Sequence, residues 1–151
     1  MMKKQRVYID TSVIGGCFDH GFREASIALI ESALRGEVIL VMSDLLALEL
    51  QNAPPIVRDL YESLPKDLLE LVVAGPEEDA LHMAYLSAGV VGPANEDDAM
   101  HVAIATVGNC DIIVSWNFRH IVHYDKIRGY NAVNIREGYR AISIHSPSEV
   151  V

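Results

Sequence analysis

The chain has 151 residues, half of them hydrophobic, and a formal net charge of −9 at pH 7. Its length and composition fit one globular domain, and its apolar runs are far shorter than the roughly 20 residues needed to span a bilayer. The acidic balance excludes a passive nucleic-acid-binding surface, because attraction to phosphate requires basic charge. Residues 7–115 carry eighteen acidic and four basic side chains, whereas residues 116–151 carry three acidic and five basic ones. If the protein handles nucleic acid, metal ions or this basic C-terminal part must offset the acidic remainder.

The cysteine content points to a reducing compartment. Cys17 and Cys110 belong to no paired motif, so we expect both thiols to be buried and inert. The basic residues 1–6 are followed by no apolar segment of the kind that signal peptides contain. We therefore expect a cytoplasmic protein.

Hydrophobic periodicity divides the chain into alternating strands and helices. Gly36 and the pair Pro54–Pro55 end helical segments, and Pro76 is well placed at the first position of another. We predict, in chain order, a strand at 6–10, a loop at 11–16, a helix at 23–34, a strand at 37–42, a helix from Ser43 to about 52, a helix at 56–63, a strand at 68–73, helices at 76–88 and from 95 onward, a strand at 111–115, short helices near 124–127 and 133–137, and an edge strand at 141–144. This alternation indicates an α/β fold with a mainly parallel sheet.

The helix that begins near Asn95 is the most informative segment. Asn95 is a suitable N-cap, and three acidic residues at 96–98 lie where the helix dipole favours negative charge. The helix is apolar on almost every face from Ala99 onward, which predicts that it is buried. Asp98 and His101 share one face of it, and we interpret His101 as a hydrogen-bonded core histidine rather than a ligand.

Polar residues also follow two of the predicted strands. Asp10 ends the first strand, and Ser115 and Asn117 follow the end of the fourth. Ligands of open parallel sheets bind beyond the carboxyl ends of the strands, so these residues and Asp98 are expected to converge at one edge.

Glu49 lies on a helix stripe that should face the core. Its helical neighbours Leu45, Leu46 and Ala53 are apolar. A glutamate at this place could extend its carboxylate to solvent, pair with Arg6, or belong to a site. Three carboxylates at Asp10, Glu49 and Asp98 would repel one another unless a cation lay among them. Oxygen ligands suit Mg²⁺ or Mn²⁺, and such ions on an α/β scaffold are typical of phosphodiester chemistry.

Four segments, taken together and in this order, resemble a PIN domain: residues 7–12 (VYIDTS), 43–49 (SDLLALE), 98–105 (DAMHVAIA) and 111–117 (DIIVSWN). The resemblance spans nearly the whole chain. It implies a single domain over 1–151 with a three-layer α/β/α fold. It also implies a metal-dependent endoribonuclease that cleaves single-stranded RNA with metal-activated water, of the kind found as toxins in bacterial toxin–antitoxin pairs. Such proteins are usually dimeric and are held inactive by an antitoxin.

By this resemblance Asp10, Glu49 and Asp98 are the catalytic acids that bind Mg²⁺ or Mn²⁺, and Ser12 supports Asp10. Ser12, Ser115 and Arg119 are the candidate contacts to the RNA substrate. Asn117 stands where the family often has a fourth acid and is the fourth candidate catalytic residue. It can orient water or offer a carbonyl oxygen, but it adds no charge. Asp97 is not a substitute, because neighbouring helical residues point about 100° apart.

Two other functions compete with this interpretation. A phosphatase of the haloacid-dehalogenase type also places an aspartate after its first strand, but it requires a second aspartate where this chain has Ser12. The other alternative is a catalytically weak or inactive PIN-like module that acts through a protein partner. Asn117 and the acidic charge favour that alternative, whereas the three acids disfavour it, because without a metal they cost stability.

Overall fold

The computed structural model describes residues 3–151. Its five strands are β1 (Arg6–Ile9), β2 (Ile39–Ser43), β3 (Leu69–Val72), β4 (Ile112–Val114) and β5 (Ser143–His145). Its α-helices are α1 (Thr11–Gly16), α2 (Arg23–Leu34), α3 (Asp44–Leu50), α4 (Pro55–Ser63), α5 (Pro76–Ser87), α6 (Glu96–Val107) and α7 (Tyr124–Arg136). Short 3₁₀ turns cover Lys66–Leu68, Pro93–Asn95 and Pro147–Glu149.

The strands form one parallel sheet in the order β3-β2-β1-β4-β5. Tyr8 on β1 pairs with Val41 on one side and with Ile113 on the other. The chain first adds strands on one side of β1 and then crosses to add β4 and β5 on the other. The direction of winding therefore reverses between β1 and β4, and this switch point is where open α/β sheets bind ligands.

Helices cover both faces of the sheet, and each face has its own apolar core. One core contains side chains of α1 to α4 and the residues of β1, β2 and β4 on the sheet face that these helices cover, among them Ile9, Met42 and Val114. The other joins α5, α6 and α7 to the opposite face, through Tyr8, Val41 and Ile113. A sheet buried on both faces explains why its strands are almost continuously hydrophobic. The expected three-layer α/β/α architecture with a parallel sheet is confirmed.

Two sequence predictions about helices were wrong. Residues 11–16 form α1 rather than a loop, because Val13 and Ile14 are buried in the core and outweigh the low helix propensity of Gly15 and Gly16. The two short helices expected within 124–137 are one continuous helix, α7. Asn95 does precede α6, but its side chain makes no capping hydrogen bond.

Arg6 fastens the start of β1 to the rest of the sheet. Its guanidinium forms an ion pair with Glu70 on β3 at 2.5 Å and donates to the Gly108 carbonyl at 2.6 Å. Asp111 accepts a 2.7 Å hydrogen bond from the Arg6 backbone amide. Arg6 is therefore the partner of Glu70, and the predicted alternative of an Arg6–Glu49 pair was wrong.

The last strand supports the centre of the sheet. β5 pairs with β4, and the Ser115 amide donates to the His145 carbonyl at 3.1 Å.

Cys17 and Cys110 are both free and buried, as expected. Within residues 3–151, no helix combines the length and the apolar character that crossing a bilayer requires.

Gly16 provides a test of packing beneath the switch point. A Cβ atom at Gly16 would lie 2.6 Å from Ser26 Oγ and 2.7 Å from Trp116 Nε1, two atoms that are hydrogen-bonded to each other. We expect Gly16→Ala to destabilise the protein by about 1–3 kcal/mol through overpacking. Gly15→Ala is the matched control, since a Cβ there meets nothing within 4 Å and gains helix propensity. Urea unfolding measures both, and equal stabilities would contradict the packing argument.

Candidate active site

Asp10 is a buried carboxylate at the end of β1, where the sheet reverses its winding. Its side chain is only 4% exposed. Ser12 Oγ donates to Asp10 Oδ1 at 2.6 Å, and Ser115 Oγ donates to Asp10 Oδ2 at 2.7 Å. The hydroxyls of α1 and of the loop after β4 thus hold one carboxyl group from two sides.

The two serines are themselves oriented by backbone amides. The Trp116 amide donates to Ser12 Oγ, and the Asn117 amide donates to Ser115 Oγ, both at 2.9 Å. Each hydroxyl therefore accepts from the loop after β4 and donates to Asp10. In this arrangement Ser12 and Ser115 fix the orientation of the Asp10 carboxyl group.

The environment disfavours negative charge on the two aspartates. Burial raises the pKa of the Asp10 carboxyl and the charge of Glu49 adds to the rise, whereas His101 and the two serine hydroxyls oppose it. Burial also raises the pKa of Asp98 and the charge of Asp10 adds to it, whereas the Asn117 side chain, His120 and His101 lower it. Asp10 is therefore near enough to Asp98 to disfavour the ionisation of the Asp98 carboxyl.

Glu49 is held by two partners that the sequence did not assign to it. Thr11 Oγ1 donates to Glu49 Oε1 at 2.5 Å, and His101 Nε2 lies 2.6 Å from the same oxygen. Burial acts to raise the pKa of Glu49, but the hydrogen bonds and charge of His101, with the bond from Thr11, lower it below its usual range. His101 is 2% exposed, so it is a hydrogen-bonded core histidine, as expected.

The remaining predicted residues lie around Asp98 and the loop after β4. Asn117 Oδ1 accepts from the amides of Arg119 at 3.2 Å and His120 at 2.9 Å, so this side chain shapes the loop. The Arg119 side chain is exposed, and Asp97 on α6 is exposed as predicted. Across residues 3–151, no three His, Cys, Asp or Glu side chains are grouped closely enough to hold a metal ion. The grouping of Asp10, Glu49 and Asp98 around one ion stays a prediction.

Sequence reasoning missed Thr11 and Tyr8 as members of this region. The Tyr8 hydroxyl lies 2.6 Å from His101 Nδ1 and 2.8 Å from Ser43 Oγ. A hydroxyl in the middle of an otherwise aliphatic strand, and a histidine in an otherwise apolar helix, were the two available signals. Pairing them required knowing that β1 and α6 are packed against each other.

Comparison with known proteins agrees with this geometry. The profile of the PIN domain family matches residues 6–119, about three quarters of the chain, so the protein belongs to the PIN domain family. A search of curated proteins gives no match.

Solved structures share the fold at low sequence identity. VapBC2 of Rickettsia felis, bound to a DNA fragment from its promoter, is 11% identical with a TM-score of 0.60, covering 94% of this chain and 98% of that one. FitAB bound to the IR36 DNA fragment is 13% identical with a TM-score of 0.60, covering 93% and 94%. DNA-bound VapBC of Salmonella typhimurium is 15% identical with a TM-score of 0.59, covering 95% and 98%.

The raised pKa of Asp10 predicts a stability effect in metal-free protein. A carboxyl group whose folded pKa is raised stabilises the fold below its unfolded pKa, about 3.9, and loses that contribution as pH rises through the folded value. In EDTA at pH 7, Asp10→Asn should therefore unfold at a higher temperature than wild type, and the difference should shrink toward pH 4. The matched control is Asp97→Asn, which removes an exposed acid one residue from Asp98 and should show no gain. Calorimetry at several pH values measures the difference in unfolding temperature between variant and wild type. A stabilisation by Asp10→Asn that is smaller at pH 7 than at pH 4 would contradict the prediction.

Proposed function

We propose that this protein is a metal-dependent endoribonuclease that hydrolyses phosphodiester bonds of single-stranded RNA, as the toxin of a toxin–antitoxin pair or a solitary relative. The observation that carries the proposal is a buried, serine-held Asp10 at the switch point of a PIN-family sheet, close enough to Asp98 that its charge raises the pKa of the Asp98 carboxyl. A carboxylate buried among neutral hydroxyls is costly unless a cation compensates it. The comparisons with VapBC and FitAB structures support the toxin–antitoxin assignment.

The donor chemistry of the site fits a divalent cation. Asp10, Glu49 and Asp98 offer carboxylate oxygens, which are the ligands that Mg²⁺ and Mn²⁺ prefer. The unfavourable ionisation of Asp10 and Asp98 is the electrostatic state that a nearby cation would relieve. Asp10, Glu49 and Asp98 would hold the ion. When bound, it supplies acidity to water and neutralises charge on the phosphate.

The surrounding residues have separate roles. Ser12 and Ser115 keep the Asp10 carboxyl in one orientation through hydrogen bonds of 2.6 and 2.7 Å. Asn117 fixes the loop that carries them and acts on Asp98. Exposed Arg119, two residues from Asn117, is placed to meet a backbone phosphate. Ser115 is fully buried, so of the two serines only the partly exposed Ser12 can reach the substrate.

An antitoxin partner is part of the proposal. VapBC and FitAB are named as complexes, and this chain leaves an apolar groove uncovered between α2 and α4. Its walls include Phe18, Leu34 and Ile56, with exposures of 43%, 42% and 57%. An uncovered apolar groove of this kind is typical of a protein-binding surface.

We also propose that the protein is a homodimer and that one PIN domain spans residues 1–151. The edge strand β3 exposes Leu71 at 53%, and the adjacent Val73 is 76% exposed, which leaves an apolar edge available to a second copy. β5 and α7 lie beyond the family match but complete the sheet and its second core. Sedimentation equilibrium measures the oligomeric state.

A catalytically inactive PIN module that acts through a protein partner is the second candidate. It is favoured by the engagement of Glu49 Oε1 with both Thr11 and His101 and by the neutral Asn117 beside Asp98. The two candidates differ in whether the protein cleaves RNA.

RNA cleavage tests the proposed function directly. Wild type should cleave unstructured RNA with Mn²⁺ or Mg²⁺ and lose that activity in EDTA. Asp10→Asn and Asp98→Asn should reduce cleavage to background, because each removes a charge that the cation requires. Asp97→Asn, the neighbouring exposed acid, should cleave like wild type. Cleavage that persists in EDTA or in Asp98→Asn would contradict the assignment, and no cleavage by wild type would favour the inactive module.

Asn117 is the position where an added acid should strengthen metal binding. Asn117→Asp keeps an oxygen that can accept from the Arg119 and His120 amides, and it places a second negative charge beside Asp98. Mn²⁺ should bind this variant more tightly than wild type, while the metal-free variant should be less stable because like charges repel. Calorimetric titration of Mn²⁺ and thermal unfolding in EDTA measure the two effects. Unchanged affinity together with unchanged metal-free stability would place Asn117 outside the cation's reach.

A further inference from the structure

A chain of hydrogen bonds begins and ends on helix α3 and holds Glu49. Ser43, the N-cap of α3, accepts the Leu46 amide at 3.2 Å. Its hydroxyl lies 2.8 Å from the Tyr8 hydroxyl, which lies 2.6 Å from His101 Nδ1. His101 Nε2 then lies 2.6 Å from Glu49 Oε1, one helix length from the starting cap.

The chemistry of a carboxylate gives the bond between His101 and Glu49 one direction. An ionised carboxylate only accepts, so His101 Nε2 donates to Glu49. The Tyr8 hydroxyl is the partner of the other ring nitrogen, and a hydroxyl can donate to that nitrogen or accept from it. The Tyr8 hydroxyl is hydrogen-bonded in turn to the Ser43 hydroxyl, whose oxygen also accepts from the Leu46 amide. The chain therefore holds His101 with an Nε2 proton facing Glu49.

Burial makes this arrangement rigid. Tyr8 is 0% exposed, and Ser43 and His101 are each 2% exposed, so no link can be replaced cheaply by water. Leaving one such buried polar group unpaired destabilises the fold. A buried network in which every member is satisfied holds its side chains in one geometry.

Glu49 keeps one oxygen free of this network. Oε1 accepts from both Thr11 and His101, whereas Oε2 accepts no hydrogen bond within residues 3–151. Oε2 is also not sealed in the interior. Within residues 3–151, His82 Nε2 is the only buried side-chain nitrogen or oxygen without a hydrogen-bond partner, so the unpartnered Oε2 is not buried. One carboxylate oxygen is thus fixed by the protein and the other is available to a ligand.

We propose that His101 is a positioning residue for the metal site, which fixes Glu49 Oε1 so that Oε2 is presented to the divalent ion. This inference rests on the proposed metal-dependent function. A histidine that served only the core would need a hydrogen-bond partner of any kind, whereas this one bonds to one of the three candidate metal ligands. Groups that orient metal-ligating side chains commonly affect affinity about 10–100-fold when they are removed.

Calorimetric titration of Mn²⁺ into the full chain tests the proposal. His101→Leu removes the donor to Glu49 and should weaken Mn²⁺ binding by about 10–100-fold. His101→Gln keeps an N–H donor near the position of Nε2 and should restore most of that loss. Equal losses in the two variants would overturn the proposal, since a hydrogen bond that matters must be rescued by a donor.

A second pair of variants keeps the test valid if His101→Leu fails to fold. Tyr8→Phe removes only the hydroxyl that is hydrogen-bonded to His101 Nδ1 and orients the ring, and it should also weaken Mn²⁺ binding. Tyr85→Phe is the matched control, because Tyr85 is 0% exposed and its hydroxyl donates to Asn134 on the α5–α7 side of the protein. It should lower stability in urea while leaving the Mn²⁺ affinity unchanged.

The outcomes separate this inference from the proposed function. If wild type does not bind Mn²⁺, or if Asp10→Asn binds it as well as wild type, the metal-dependent function itself fails. If wild type binds and Asp10→Asn does not, but Tyr8→Phe and the His101 variants bind like wild type, only the positioning role is overturned. Equal Mn²⁺ affinities for Tyr8→Phe and Tyr85→Phe would have the same consequence.

Discussion

The site is organised around the Asp10 carboxyl group, which is buried and makes its hydrogen bonds to neutral hydroxyls. Asp10 is held by two serine hydroxyls, and each hydroxyl is fixed by a backbone amide of the loop after β4. Hydroxyls can orient a carboxylate, but they do not replace the solvation that it loses on burial. The fold must therefore be stable enough to tolerate this group. The two apolar cores on either side of the sheet provide that stability around it.

The acids are supported in two different ways. Asp10 and Asp98 have raised pKa values because burial disfavours their charge, to which the charge of Glu49 adds at Asp10 and the charge of Asp10 adds at Asp98. The hydrogen bonds of His101 and Thr11 instead lower the pKa of Glu49. The protein environment thus favours the ionised form of Glu49 and disfavours the ionised forms of the two aspartates. This asymmetry follows from position, because Glu49 lies on a helix beside a histidine and Asp10 lies at a strand end beside hydroxyls.

The sequence predicted the fold class because local signals agreed with the tertiary arrangement. Helix α2 has the predicted bounds of 23–34, and Pro76 begins α5, since an apolar stripe and a proline act locally. The sequence-based prediction was wrong at α1, where the core contacts of Val13 and Ile14 outweigh the low helix propensity of two glycines. It also failed to join the two halves of α7. In the site, strand ends identified Asp10 and Ser115, but no local pattern could pair His101 with Glu49, 52 residues away. The same reason explains why Arg6 was not matched to Glu70.

The last strand has a consequence for the boundaries of the domain. The family match ends at residue 119, yet β5 pairs with β4, and its His145 carbonyl accepts the Ser115 amide. A fragment cut at the end of the match would turn β4, now an interior strand, into an exposed apolar edge. Such edges recruit other chains, so the fragment would tend to aggregate, and the loop that orients Asp10 would lose one of its anchors. The segment after residue 119 therefore works as edge protection for the centre of the sheet, in addition to its place in the second core.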